Sequence, residues 1–399
     1  MRILFAALAL PYPPMNGHRL RTWAMVRALA DEGHEVTVVS FAEPSEFEAS
    51  LAPLQKICAG VELVPVPERD ASRGEAVDRL TALLAPMPYA ARRLRSQAFT
   101  DAVARQLSRG TFDVLLCDGI YNMQNLPVRP GVPIVLNKDD VAYQIMRRYL
   151  AFERHPARRV YAWLEGEKVR RWERAVCRRV ALILACSEPD REILRGFAPR
   201  VPIAIVPNVV DVEHYRPGNG HEPKTVLFQG GMDWHPNRDA VEFFADAILP
   251  PLRRLVPDAL FRVAGRSPSD EFRDRFRGID RMEFTGTVPD MRDEIAKAEI
   301  CVVPLRIGSG TRLKILEAAA MGKPIVSTTL GAEGLNFVNG EEIVLADDPA
   351  KFAEAVAELL ADPGARRKLG DAARNRAERG YSFAVHRSTL RKALTLVTR

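Results

Sequence analysis

Residues 306–335 read "RIGSGTRLKILEAAAMGKPIVSTTLGAEGL": a glycine-spaced loop, a short helical segment, a β-branched run and a second small-residue turn. The segment lies between "EICVVPL" (299–305) and contains "PIVSTT" (324–329), so a helix over 312–321 joins two apolar strands. A glycine turn ahead of a helix leaves backbone N–H groups unpaired, with the positive end of the helix dipole behind them, and phosphate is the usual guest. Gly308 and Gly310 let the backbone approach closely, Ser309 or Thr311 can cap, and Arg312 and Lys314 add positive charge. Lys314 and Glu317 are one turn apart and share a face. The lysine can neutralise a phosphate, and the carboxylate one turn deeper can accept two hydroxyls, as a ribose diol beyond a diphosphate presents. A solvated ion pair after an ordinary turn explains the same residues, and the loop and helix alone do not choose.

Outward from this segment the β-then-α rhythm repeats along the chain. An apolar strand, Ile3–Leu10, leads through "PYPPMNGHRLR" to a helix near 22–32, then "EVTVVSF". "FDVLLCDG" (112–119), "PIVLNKDD" (133–140) and "VALILACS" (180–187) are further apolar runs that end in polar or small residues. Such an order predicts parallel sheets covered by helices, with ligands gathered at the C-terminal strand ends. Near 206 the texture changes: "VPNVVDVEHYRPGNGHEPK" has neither period. The rhythm then restarts with "TVLFQGG" (225–231), a helix over about 238–255, "LFRVAGR" (260–266) and "MEFTGTV" (282–288). The predicted organisation is an α/β domain over 1–205, a linker over 206–222, a second α/β domain over 223–380, and a closing helix over 381–399 expected to pack back on the first domain.

The 399 residues suit two domains, and the apolar and charged fractions, 47% and 27%, are those of an ordinary globular chain. No window has the roughly 18–20 uninterrupted apolar residues of a spanning helix, and the short first apolar run is expected to be a strand rather than a secretory signal. Five scattered cysteines without Cys-x-x-Cys spacing read as buried thiols, neither a disulfide framework nor a zinc site. The net charge of +6 is unevenly spread: from Arg147 to Arg179 eleven basic residues oppose four glutamates, a local +7. Val160, Trp163, Leu164, Trp172 and Val176 fall roughly on one helical face there. Two readings stand: a core-facing helix with a solvated basic face, or a surface that meets anionic lipid. Nucleic acid is not expected, because no recognised binding module accompanies the patch.

"GSGTRLKILEAAAMGKPIVSTTLGAEGL" resembles the donor-site signature of family 4 glycosyltransferases. "RTWAMVRALADEGHEVTVVS" resembles the family's first helix and second strand, and "PNVVDVEHYRP" its interdomain segment. "VLFQGGMDWHPNRDAVEFF", "VAGRSP" and "FTGTVPDM" resemble its nucleotide-side strands and turns. The resemblance implies the GT-B fold, two Rossmann-like α/β domains with parallel sheets facing across a cleft. It implies a retaining transferase that moves a sugar from a nucleotide-diphosphate donor to a glycan or lipid-linked acceptor, in cell-envelope or exported polysaccharide synthesis. The nucleotide sugar is then a co-substrate, with no cofactor and no metal. The expected location is cytoplasmic; peripheral contact at the inner membrane face belongs to the second of the two readings of 147–179.

Carried over residue by residue, the resemblance places the donor against Gly308, Ser309, Gly310, Thr311, Glu317, Gly230, Arg266 and Val288. Glu317 matches the second member of the family's paired glutamates, and Ser309 stands where the first would be. Gly231 and Asn237 stand where the family often has the arginine and lysine that hold the diphosphate, so Arg312 and Lys314 are expected to stabilise the leaving group. The family's histidine after the strand "VL" is absent from "VLNKDDVAY", which leaves Asp139 as the catalytic candidate of the first domain. Gly17 and His18, in the loop after the first strand, are expected on the acceptor side. Two other readings remain at this point: a nucleotide-sugar-binding protein without catalysis, and a sugar-nucleotide epimerase of the same architecture. A dehydrogenase is disfavoured, because no strand-linked G-x-G-x-x-G is present.

Overall fold

The computed structural model describes residues 1–14, 16–67, 75–218, 220–266 and 268–397. The chain divides into two compact units, Met1–Asn208 with Phe383–Arg399, and Val209–Ser382. The first holds seven strands: β1 (Arg2–Ala7), β2 (Glu35–Ala42), β3 (Gly60–Pro65), β4 (Val114–Asp118), β5 (Ile134–Asn137), β6 (Leu182–Ala185) and β7 (Ile203–Ile205). They pair in the order β3-β2-β1-β4-β5-β6-β7, and every pair is parallel. β4, β5 and β6 are buried along their whole length. That is why they read in the sequence as continuous apolar runs rather than alternations.

The second unit repeats this topology with β8 (Thr225–Gln229), β9 (Leu260–Ala264), β10 (Met282–Gly286), β11 (Ile300–Val303), β12 (Ile325–Ser327) and β13 (Val344–Leu345). Its order is β10-β9-β8-β11-β12-β13, again parallel throughout. The strand order reverses between β1 and β4 in one sheet and between β8 and β11 in the other. A crevice opens beyond the strand ends at such a point.

Helix α1 (Gly17–Asp31) follows β1, and the Asn16 carboxamide oxygen caps it by accepting the Arg19 N–H at 3.0 Å. The sequence reading began this helix near residue 22 and left Gly17 and His18 in a loop; the cap at Asn16 puts both in its first turn. Helices α2 (Ala142–Phe152) and α3 (Pro156–Cys177) form a hairpin after β5. The stripe expected on one face of α3 divides. Val176 is buried and Trp172 turns inward to donate its indole N–H to the Ile120 carbonyl at 3.0 Å, whereas Val160, Trp163 and Leu164 are exposed.

The stretch 206–222 enters both cores: Val206 N–H bonds the Ala185 carbonyl at 2.8 Å, and Val210 N–H bonds that of Tyr381 at 2.9 Å. In the second unit α4 (His235–Phe243) follows β8, and α5 (Leu313–Ala320) joins β11 to β12. The last helix, α6 (Phe383–Leu394), belongs to the first unit, where Leu390, Ala393 and Leu394 pack with Met25 and Leu29 of α1. Among the described residues no helix is long and apolar enough to cross a membrane.

Candidate active site

At the switch point of the second unit, the turn after β8 meets the start of α5. A Cβ on Gly265 would lie 2.0 Å from the Gly230 carbonyl oxygen, so the turns after β8 and β9 touch at a place only glycine fits. Lys314, in the first turn of α5, reaches across to this turn. Its Nζ donates to Asn237 Oδ1 at 2.8 Å and sits 4.0 Å from the centroid of the Phe228 ring. Asn237 in turn donates its Nδ2–H to the Gly231 carbonyl at 2.8 Å. The lysine of the loop-helix therefore lies against Asn237.

Glu317, one turn deeper, accepts from Gln229 Nε2 at 2.6 Å on one oxygen and from the Tyr215 hydroxyl at 3.3 Å on the other. Burial raises the Glu317 carboxyl above its ordinary value, although Tyr215, Lys314 and Gln229 all pull the other way. Burial, reinforced by the Arg312 charge, lowers Lys314 to about 7 despite Glu317. An anion placed here would restore the lysine's charge.

Arg312 is the N-cap residue of α5, and its own side chain does not bond the first turn's N–H groups. Arg312 folds back instead, its Nη1 donating to the carbonyls of Ser309 and, at 2.6 Å, Gly310. Gly308 has φ +134°, and a Cβ there would fall 2.7 Å from the Arg312 guanidinium. Arg312 thus clamps its own loop, and Lys314 is the cation set toward the β8 turn. Arg266 lies beside Gly231 and pairs with Asp233 at 3.2 Å. Val288 is half-buried just beyond β10, outside this hydrogen-bonded group. Thr311 is buried in the loop.

The first unit carries a second cluster at its own switch point. His18 Nε2 is 3.0 Å from Asp118 Oδ2, at the end of β4, and Nδ1 is 2.9 Å from Asp139 Oδ2, just past β5. With a carboxylate at each nitrogen the ring is satisfied only as imidazolium. Burial alone would lower its pKa; Asp118 first and Asp139 second outweigh burial and hold it well above the ordinary value. The same contact holds Asp139 below its usual range against burial, whereas burial and the Asp139 charge push Asp140 up to about 7.

The cluster continues inward. Asn137 donates to Asp118 Oδ1 at 2.8 Å and accepts from Arg21 Nε at 2.9 Å. Arg21, fully buried, also donates to the Val206 carbonyl and to Asn208 Oδ1, both at 2.8 Å. Gly17 is exposed at the first residue of α1.

The sequence reading names Lys314, Glu317, His18 and Asp139; it does not name Tyr215, Gln229, Asp118, Arg21 or Asn137, which the structure joins to these two clusters. A signal for two of these was available, because Asp118 and Asn137 end the apolar runs "LLCD" and "VLN" where a parallel sheet gathers its ligands. Among the described residues no group of three or more His, Cys, Asp or Glu has the arrangement to hold a metal.

Two doubly wound parallel sheets in series, one with a basic loop-helix backed by a carboxylate, define a GT-B glycosyltransferase. The family model described as Glycosyltransferase Family 4 matches residues 15–214, and that described as Glycosyl transferases group 1 matches residues 223–362. The chain belongs to glycosyltransferase family 4. Among curated relatives it is 25% identical to glycogen synthase of Mycobacterium tuberculosis (strain ATCC 25618 / H37Rv) over 396 residues, 94% of this chain and 90% of the relative. Among solved structures it is similar to sucrose-phosphate synthase of Thermosynechococcus elongatus, with TM-score 0.73, 17% identity and coverage of 100% and 99% of the two chains. It is also similar to Anabaena HepE in complex with UDP-glucose, with TM-score 0.69, 14% identity and 99% of each chain covered. These matches favour a transferase over the epimerase and the non-catalytic binder.

Proposed function

We propose that this glycosyltransferase uses a nucleoside-diphosphate sugar, retains the configuration at the anomeric carbon, and serves a glycan or lipid-linked acceptor in cell-envelope or exopolysaccharide synthesis. The observation that carries the donor assignment is the reach of Lys314 from α5 to Asn237 at 2.8 Å, with Glu317 one turn below. The N-terminal end of α5 and Lys314 receive the diphosphate, and Glu317 takes the ribose hydroxyls in place of Tyr215 or Gln229. In transfer, the bond from the anomeric carbon to the diphosphate oxygen breaks and one to the acceptor oxygen forms. The acceptor proton leaves to the departing diphosphate. Charge grows on that diphosphate, so a fixed cation and aligned N–H groups there lower the barrier directly. The switch point of the first unit, with Gly17, His18 and Asp139, takes the acceptor. No cofactor or metal is needed in this scheme. HepE holds UDP-glucose, which makes uridine nucleotides the first donors to try.

The test is a thermal-shift titration of wild type and Glu317→Ala against UDP, GDP, ADP and their sugar conjugates. A ligand at about a hundred times its dissociation constant stabilises by roughly 2.7 kcal/mol. One nucleotide should raise the wild-type midpoint and leave the variant unmoved. A protein that no nucleotide shifts has no donor site at 308–317.

A further inference from the structure

The α2–α3 hairpin carries a cluster of exposed apolar side chains that the donor chemistry does not use. Phe152, Val160, Trp163 and Leu164 are 42%, 58%, 57% and 38% exposed at its tip. The last three follow i, i+3, i+4 spacing, so they form one outward face over the first turns of α3. The opposite face is spent: Ala162, Glu165, Gly166 and Val169 are buried. Arg147, Arg154, Arg158 and Arg159 are exposed around this apolar face.

The carboxylates of the stretch are occupied elsewhere. Glu153 accepts from the Tyr149 hydroxyl and from the His155 N–H at 2.9 Å. Glu165 accepts the Tyr89 N–H and faces Lys168 at 3.8 Å, Glu167 pairs with Arg170 at 2.8 Å, and Glu173 pairs with Lys138 in the interior. Among the described residues none of these carboxylates pairs with Arg147 or Arg154; Glu153, held by neutral donors, keeps its charge and offsets Arg158 in part. Arg159 spends its Nη1 on the carbonyls of Leu150 and Glu153, which fixes the turn between the helices.

We infer that the tip of this hairpin is a docking surface for an anionic lipid bilayer, with Trp163, Phe152, Val160 and Leu164 entering the interface and the arginines lying among the headgroups. Amphipathic aromatic and aliphatic side chains over a basic rim are what such an interface takes up, and each arginine near it adds about a fivefold gain in partition. The hairpin is held rigidly at its root. Lys138–Glu173 is buried, and Glu173 also accepts the N–H groups of Ala142 and Tyr143 at 3.1 and 3.0 Å. The root adjoins Asp139, so the eleven residues of α2 set the tip roughly 16 Å along the helix from it. A membrane-held tip would bring that end of the sheet within reach of a lipid-linked acceptor.

The full chain is sedimented with vesicles of phosphatidylcholine alone and of phosphatidylcholine mixed with phosphatidylglycerol. It should partition onto the mixed vesicles only and be released by high salt. Arg154→Gln with Arg158→Gln should cost about 25-fold, and Trp163→Ser about tenfold or more. Brominated lipid should quench the intrinsic fluorescence, and Trp163→Phe should lose that quenching while still binding. All three positions are exposed, and unchanged melting temperatures confirm that the variants fold. Absence of binding to the mixed vesicles, or binding that both Trp163→Ser and the double arginine variant leave intact, overturns the proposal. So does concentration-dependent self-association that Trp163→Ser abolishes, which would make the tip a contact between copies of the chain. No nucleotide enters the assay, so failure here leaves the donor reading standing.

Discussion

At the residue scale, Lys314 has two jobs that pull on its proton. Burial and the Arg312 charge lower it to about 7, yet diphosphate binding needs it charged. Bound anion raises that pKa again, so binding takes up a proton at neutral and alkaline pH. Donor affinity should be flat below about pH 7 and fall by up to tenfold per unit above it. Calorimetry in two buffers of different ionisation enthalpy checks the uptake, and affinity that ignores pH across this range would rule Lys314 out as the phosphate cation. His18 gives the opposite case, in folding rather than binding. Its folded pKa is raised, so the Asp118 and Asp139 contacts contribute stability that is full below about pH 6.5 and lost as pH rises through the folded value. Urea unfolding of wild type and His18→Gln should differ most in mild acid and converge at alkaline pH. Spacing disclosed the Lys314–Glu317 pair because both lie on one helix. His18 and its partners Asp118 and Asp139 come from three separate segments brought together by the fold, and no local pattern records that.

At the scale of elements, buried interior strands were legible and, apart from the edge strand β10 within "MEFTGTV", the edges were not. β4, β5 and β6 are apolar without interruption because both faces are covered. β3 is largely half-buried, β7 has three half-buried residues and β13 two, too little for a pattern to register. The sequence reading also gave the hairpin helix a single apolar stripe. It could not tell Trp172, whose N–H finds the Ile120 carbonyl, from Trp163, which has no core above it. The anchoring of this hairpin is testable. Lys138→Met would leave Glu173 buried with two backbone N–H groups but no cation, at a cost of about 3–5 kcal/mol. Adding Glu173→Gln removes the uncompensated charge and should recover most of the loss. Urea unfolding of the single and double variants reads this directly, and a single variant as stable as wild type would show that the ion pair does not secure the root.

At the scale of the whole molecule, the same strand order occurs twice, yet the units differ in how the chain closes them. The second is a continuous segment, Val209–Ser382, whereas the first needs Phe383–Arg399 from the far end of the sequence. The sequence reading sets a separate helix over 381–399; in the structure Ser382 separates two helices of the tail, and they serve different units. α6 covers α1 with Leu390, Ala393 and Leu394, and Arg387 and Arg391 reach Glu32 at 3.3 and 3.4 Å. The buried His386 ring adds a bond to the Pro207 carbonyl at 2.8 Å. α1 also carries His18 and Arg21, so the last helix supports the cluster at the β1–β4 switch point from behind. Leu390→Ala should therefore destabilise the first unit by about 2–5 kcal/mol, while Lys314, Glu317 and the α5 loop, all in the second unit, stay as they are. Calorimetry should show one transition moved down and another still raised by the nucleotide that stabilises wild type. A variant that lost its nucleotide response along with its first-unit stability would mean the two units fold as one, and the division at Ser382 would carry no energetic weight.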